Sequence, residues 1–513
     1  MTETGASSTA PSADLAALAR GGRINFFGFV LRLMARLPFL FIAGRMYGAD
    51  ELGRFAYAVL IVEFAAQLAT LGLKRGLAQQ LAKTDKPHVC VVADALLVAA
   101  IGSAIAMTIL AIFPQAMFPN SEITGLEWTL PVTVFALAWS DICLAALAYR
   151  HDVTSTVRAR AIVEPWTISI AAFAWYFIST RDGLIIAYAL SMVGALVASV
   201  IPFVRSYGLP HGWSPDPGTL WSLARRNLPV AAADAVEWGS RRIDIAVLGL
   251  FFAPKIVGIY YVAQQVASLP AKLKTSFDPI LGPVISRNLA EGDKGAVAKQ
   301  VRQVGFWVIA AQGGVALALG IPAEAVMGLV GAGFVAGTAA LGFLLAAEVV
   351  AATAAVSEAA LIYCARHRNM MISLCMIVLE AGVAAGLILL MRSWGWPVMW
   401  QATGPALALM LSLGFAAIIK ARLLHRILGH PVSGWRWPLI WAAAAAMVVG
   451  QLVIMLPEWA ELLVGIPAIL IAFGAILWVK GFGPEDRELF RMSKKDIAEL
   501  ELPEPATGGD APR

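Results

Sequence analysis

Arginines recur in this sequence where membrane-spanning helices are predicted. Residues 23 to 45, RINFFGFVLRLMARLPFLFIAGR, are apolar enough to cross a bilayer, yet they carry Arg32 and Arg36 internally and Arg45 at the end. Side chains three, four or seven apart share one helix face. Asn25, Arg32 and Arg36 therefore form a polar stripe just before Pro38, a residue predicted to kink the helix. The same spacing aligns Glu63, Gln67, Thr70 and Lys74 in a second span, and Asp234, Glu237, Arg241 and Asp244 in a seventh. In an eighth it aligns Gln264, Ser268, Lys272, Thr275 and Asp278. A charge at the bilayer centre costs at least about 2.5 to 3.5 kcal/mol on insertion scales, so such groups line a cavity, pair, or do both. Guanidinium stays charged and offers forked donors to phosphate oxygens. Arg32, Arg36, Arg241 and Lys272 are thus the candidate binders of a phosphate-bearing ligand, with Asn25, Glu63, Gln67, Asp234, Glu237 and Gln264 as polar lining. Helix-to-helix pairing, Arg36 with Glu63 and Arg241 with Asp234 or Asp244, is the competing use of the same charges.

Further carboxylates, Asp94, Asp141, Glu348, Glu358 and Glu380, also fall within predicted spans. A desolvated carboxyl can carry a proton or a cation, and Asp141 and Glu358 are the candidates for ion coupling. All six histidines, His88, His151, His211, His367, His425 and His430, fall in predicted loops, which argues against a histidine relay or metal site in the membrane. Cys90, Cys143, Cys364 and Cys375 have no metal-binding spacing and read as buried, reduced thiols. No phosphate-loop motif is present, so the chain itself is not expected to hydrolyse ATP; no cofactor is expected.

The elements that must position these groups follow from composition. Of 513 residues, 59% are hydrophobic and 14% charged, which describes an all-α polytopic membrane protein rather than a soluble enzyme. Runs of the roughly 20 apolar residues needed to span hydrocarbon number about fourteen. They lie near 24–46, 54–73, 89–113, 128–148, 161–179, 183–204, 229–252, 257–285, 303–321, 338–363, 371–391, 398–419, 437–456 and 461–479. The net charge of +5 does not point to nucleic acid. With both termini cytoplasmic, most Lys and Arg fall in cytoplasmic loops and tails, while the opposite loops hold only Arg54, Arg181, Lys255 and Arg392. Trp128, Trp394, Trp396, Trp400 and Trp459 cluster near predicted outer ends as interfacial anchors. The outer loops are too short for an extracytoplasmic catalytic domain, and no enzymatic activity is expected.

A weak internal repeat divides the chain. GADELGRFAYAVLIVEFAAQLATLGL from residue 48 is similar to APKIVGIYYVAQQVASLPAKLKTSF from 253, with Gly53, Phe55, Ala58 and Thr70 matching Gly258, Tyr260, Ala263 and Thr275. The same offset of 205 carries Arg36 onto Arg241, and at a slightly longer spacing WSDICL and VSEAAL set Asp141 against Glu358. An even number of spans between the copies predicts two lobes related by a pseudo-twofold axis along the membrane normal, around a central cavity. The predicted organisation is a cytoplasmic tail, 1–23; an N-terminal lobe, 24–204; a Pro/Gly-rich linker, 205–228; a C-terminal lobe, 229–420; two additional spans, 421–480; and a cytoplasmic tail, 481–513.

The segments YGADELGRFAYAVLIVEFAAQLATLGLKRGLAQQLA and RRIDIAVLGLFFAPKIVGIYYVAQQVASLPAKLKTSFDPILGPVISRNLAEGD, set in fourteen spans, resemble the polysaccharide-transporter branch of the multidrug/oligosaccharidyl-lipid/polysaccharide (MOP) exporter superfamily. The resemblance implies a flippase of the bacterial inner membrane. It would move a polyprenyl-diphosphate-linked oligosaccharide across the bilayer for O-antigen, capsule or exopolysaccharide assembly, alongside a polysaccharide polymerase and chain-length proteins. It also implies that Arg36 and Arg241, on the first helices of the two lobes, contact the diphosphate. Asp234, Glu237 and Asp244 depart from that pattern by making the seventh-helix face net negative. A drug/cation antiporter, a lipid II flippase and a membrane polysaccharide polymerase are the alternatives.

Overall fold

The computed structural model describes residues 37–275, 278–483 and Asp486, and among them the chain forms helices and turns with no strand. Hydrocarbon offers the backbone no hydrogen-bond partners, and a helix satisfies them internally. Nine helical stretches among the described residues are long and apolar enough to cross a membrane. The other predicted spans are shorter or broken.

The first span reaches the described residues at Leu37 and ends at Tyr47, where Gly48 turns the chain with φ 82°, a conformation glycine adopts without steric cost. The N-terminal lobe follows: α1 (Gly48–Ala69), α2 (Leu73–Leu81), α3 (His88–Ile112), α4 (Val132–Tyr149), α5 (Glu164–Tyr176) and α6 (Gly183–Tyr207). Next come α7 (Pro217–Gly239) and α8 (Ile243–Phe251), then α9 (Pro254–Thr275), α10 (Asp278–Ala290), α11 (Lys294–Gly320), α12 (Thr338–Cys364), α13 (Arg366–Ser393) and α14 (Gly404–Leu428). A final pair, α15 (Pro438–Val453) and α16 (Ile466–Ile476), packs on itself and on α11.

Three boundaries differ from the sequence expectation. The span at 229–252 is two helices, because the adjacent cations Arg241 and Arg242 sit in a break, with Arg242 at φ −141°. The span at 257–285 is also two helices, α9 and α10; Pro279 falls in the first turn of α10, where proline starts helices more readily than it continues them. The linker is shorter than 205–228, since α7 already begins at Pro217. There Asp216 caps the helix by accepting from the Thr219 N–H at 2.8 Å. Trp213, in the shortened linker, donates its indole N–H to Asp94 at 2.8 Å and so fixes the connection to α3.

Helices α1, α3, α4 and α6 pack as one bundle and α9, α11, α12 and α14 as another. The lobes meet where α1 crosses α9, and α7 lies in the seam, contacting α1, α2 and α3 on one side and α13 on the other. The membrane face carrying the 208–216 linker is called the linker face below. On the opposite face, Asn120 donates to the Gly249 and Phe252 carbonyls at 2.8 and 3.0 Å, which ties an N-lobe loop to the end of α8. Arg45 donates to the Leu329 carbonyl at 3.0 Å on that side. Arg54, expected in a loop, is instead buried on α1, where it pairs with the fully buried Glu127, which Arg181 also contacts at 3.1 Å. Of the cysteines, Cys143 is buried, Cys90 and Cys364 are half-buried, and Cys375 is exposed rather than buried. The five outer-end tryptophans are exposed, as interfacial anchors would be.

Candidate functional site: the interlobe seam

Helix α1 presents Glu63 to the seam, and Arg242, in the break before α8, reaches across to it with 3.4 Å between Nη2 and Oε2. Closer to the linker face, Arg75 on α2 spans the seam in the other sense. Its two terminal nitrogens contact Asp234 at 2.9 Å and Glu237 at 2.8 Å, carboxylates three residues apart on one face of α7. The two lobes therefore exchange charge in both directions, each arginine meeting acids of the opposite side.

The seventh-span stripe is split by the same helix break. Asp234 and Glu237 face Arg75, whereas Asp244 turns into the C-terminal lobe and accepts from the Tyr260 hydroxyl at 2.7 Å and from Gln264 at 3.0 Å. Arg241, the fourth member, is exposed and makes no ion pair with a described residue. The structure thus supports neither pairing expected for Arg241. Glu63, expected as a partner of Arg36, is engaged by Arg242.

The coupling candidates are already balanced by cations. Asp141 is bridged by Lys74 at 3.0 Å and by Arg160, and Arg160 also holds Glu164 at 2.9 Å. Glu358 pairs with Lys420 at 3.0 Å, and Lys420 donates as well to Ser373 at 3.0 Å. A different carboxyl lacks such support. Glu380, on α13, is completely buried, and neither of its oxygens has a hydrogen-bond partner among the described residues.

Asn25, Arg32 and Arg36 lie outside the described residues. Lys272 falls near the C-terminal end of α9, and Gln67 is half-buried on α1. Arg160 escaped the sequence reading because it lies one residue before the predicted span 161–179; Arg75 and Arg242 escaped it for a shared reason. Cations adjacent in sequence, as in Lys74–Arg75 and Arg241–Arg242, lie about 100° apart on a helix, so a stripe admits one and discards its neighbour. At both sites the discarded arginine is the one that crosses the seam. Chemically, the seam offers guanidinium forks, of which Arg75 is exposed, and guanidinium binds carboxylate and phosphate alike.

Over residues 42–310 the chain matches the family model described as polysaccharide biosynthesis protein. No curated protein matches it in sequence. Its fold is similar to that of the lipid II flippase MurJ in an inward closed conformation, with TM-score 0.65 and 10% identity over 91% of this chain and 99% of that one. A multidrug resistance MATE family transporter of the MOP superfamily in its inward-facing conformation matches with TM-score 0.62 and 14% identity, over 78% of this chain and 94% of that one. An outward-facing conformation of such a transporter gives 0.53 at 14% identity, over 82% and 95%. Two helical lobes joined across a charged seam, the fold of MOP-superfamily transporters and a family match across more than half its length establish that this membrane chain belongs to the polysaccharide biosynthesis protein family.

Proposed function

We propose that the protein is a flippase that moves a polyprenyl-diphosphate-linked oligosaccharide from the inner to the outer leaflet of a bacterial inner membrane, for surface polysaccharide assembly. The observation that carries this is the interlobe seam, where arginines of both lobes meet acids of the opposite side and Arg241 is exposed with no ion pair to a described residue. In this reading the linker face is cytoplasmic. The diphosphate and sugars occupy a cavity between the lobes, held by Arg241 and, from the first span and α9, by Arg32, Arg36 and Lys272. The polyprenyl tail stays in lipid, and rocking of one lobe against the other exposes the headgroup outside. The membrane potential would assist: each negative charge moved outward gains about 2.3 kcal/mol per 100 mV, so a headgroup of about two charges gains roughly 4 to 5 kcal/mol.

The test is a mass-spectrometric profile of polyprenyl-linked glycans in a deletion strain of the native host. Accumulation of a complete diphosphate-linked repeat unit, with surface polysaccharide lost, is the expected result. A normal pool with unchanged surface glycan overturns the proposal, as does full complementation by a double Arg36→Gln, Arg241→Gln variant. A second reading, a drug/cation antiporter, is favoured by one feature, the fully buried carboxyls of Asp244 and Glu380, neither of which forms an ion pair with a described residue. Within the flippase reading these two replace Asp141 and Glu358 as the candidates for ion coupling, because a carboxylate already neutralised by lysine and arginine gains little from a transported cation.

A further inference from the structure

We propose that Arg75 is an interlobe latch whose two acidic partners are exchanged for the diphosphate of the cargo, so that cargo binding itself unlocks the linker face. The inference rests on the flippase reading and adds to it the device that admits the substrate.

Four observations carry it. The first is partner choice. Lys74 and Arg160 are tied to acids of their own lobe, whereas Arg75 has both of its acids on α7, across the seam. The second is the contact around it. Helix α2 lies so close to α7 that a Cβ at Gly76 would stand 1.9 Å from the Asn227 side-chain oxygen, and one at Gly72 would stand 2.6 Å from the Ala231 nitrogen. Small residues permit such an approach, and Arg75 sits between these two glycines in sequence, so its ion pairs clasp a close contact of the seam.

The third observation is the difference between the partners. The side chains of Arg75 and Glu237 are each 57% exposed, while that of Asp234 is 2% exposed. Exposed pairs are weak and easily exchanged. A buried carboxylate that loses its cation is costly unless water reaches it. Release of Arg75 and opening of the α2–α7 seam must therefore occur together, which couples one side chain to the lobe movement. The fourth is chemical fit. Two carboxylates three residues apart set a negative charge beside each terminal nitrogen of the guanidinium, a hydrogen bond at Glu237 and an ion contact at Asp234, and a diphosphate presents the same pair of charges in one molecule.

The test measures distances in the full-length protein in lipid nanodiscs. Nitroxide labels go on cysteines introduced at the exposed positions Gln79 and Arg226, with the four native cysteines replaced by alanine. Without ligand, the parent protein is expected to give a short, narrow distance distribution, and both Arg75→Gln and the Asp234→Asn, Glu237→Gln double variant a longer and broader one. Arg75→Lys, which keeps the charge and loses the fork, is expected to fall between. Sodium pyrophosphate should lengthen the distances of the parent and leave Arg75→Gln unchanged, whereas sodium sulfate at equal ionic strength should leave both unchanged. Short distances retained in Arg75→Gln overturn the latch. A latch that opens in the variants but ignores pyrophosphate overturns the exchange. Because the ligand-free distances involve neither cargo nor transport, their outcome is independent of the glycan profile that tests the flippase reading.

Discussion

Gly53 of α1 and Gly258 of α9 lie against each other at the crossing of the two lobes, each in the place where a side chain on the other would have to go. A Cβ on Gly53 would stand 1.8 Å from the Pro254 carbonyl oxygen and 2.5 Å from the Gly258 nitrogen. One on Gly258 would stand 1.9 Å from the Ala49 oxygen and 2.8 Å from the Gly53 nitrogen. Ala49 stands to Gly258 as Pro254 stands to Gly53, and the members of each equivalent pair are 205 residues apart in sequence. The contact is therefore reciprocal between repeat mates, as a pseudo-twofold axis through the crossing requires.

Alanine at either position forces the helices apart, because both obstructing atoms belong to backbone and cannot rotate away. Overpacking of this kind costs typically about 1 to 3 kcal/mol. Gly53→Ala and Gly258→Ala should each lower the thermal midpoint in detergent, and the double variant should lose less than the sum, since the second methyl enters a gap the first has opened. Unchanged midpoints for both single variants would show that the crossing is loose.

This pairing explains how far the sequence was legible. The repeat placed Gly53 opposite Gly258 in register because close helix approach demands the smallest residue in both copies, and hydropathy located most spans because hydrocarbon tolerates little else. The polar stripes were less reliable. Periodicity assumes an unbroken helix, and the break at 240–242 sends Asp244 into the C-terminal lobe while Asp234 and Glu237 face α2. Nor does sequence tell which acid a cation will choose when, as at Asp141, two bases from different helices converge on it.

The buried carboxyls should respond differently to removal of charge. Glu380→Gln preserves shape, removes a buried carboxyl that has no hydrogen-bond partner among the described residues, and is expected to leave the thermal midpoint unchanged or raised. Asp141→Asn strips Lys74 and Arg160 of a shared partner and should destabilise by about 1 to 3 kcal/mol. If Glu380 exchanges a proton or cation during transport, Glu380→Gln also abolishes the dependence of flipping on an imposed ion gradient in proteoliposomes. A destabilised Glu380→Gln with intact gradient dependence would remove Glu380 from the coupling role.

Trp213 should govern the mobility of the connection between lobes. Its indole N–H is donated to Asp94, which is 8% exposed on α3, and loss of a hydrogen bond to a charged group costs about 1.5 to 3 kcal/mol. Trp213→Phe keeps the ring and removes the donor. Backbone amides of residues 208–216 are expected to exchange hydrogen faster in that variant, while α9 and α11 in the C-terminal lobe stay unchanged. Equal protection in both proteins would mean that the linker is held by something other than this bond.

The start of α7 should loosen in acid. The hydroxyl and backbone N–H of Thr219 both donate to the Asp216 carboxylate and hold it below the usual carboxylate range. A carboxyl whose folded-state value is depressed contributes stability above its unfolded value and loses that contribution as pH falls through the folded one. The first-turn amides of α7, Thr219 above all, should therefore be protected at neutral pH. Their protection should decline as the pH drops below the ordinary aspartate value, after correction for the intrinsic exchange rate. Asp216→Asn retains an oxygen to cap the helix but does not titrate, so its protection should be flat across the same range. Asp216→Ala should exchange fast at every pH. Because the linker joins the lobes at this turn, the experiment also reports whether the linker can be released without disturbing the helices that form the seam. Wild-type protection that stays constant into strong acid would show that Pro217 and the packing of α7, rather than the carboxylate, fix where the helix begins.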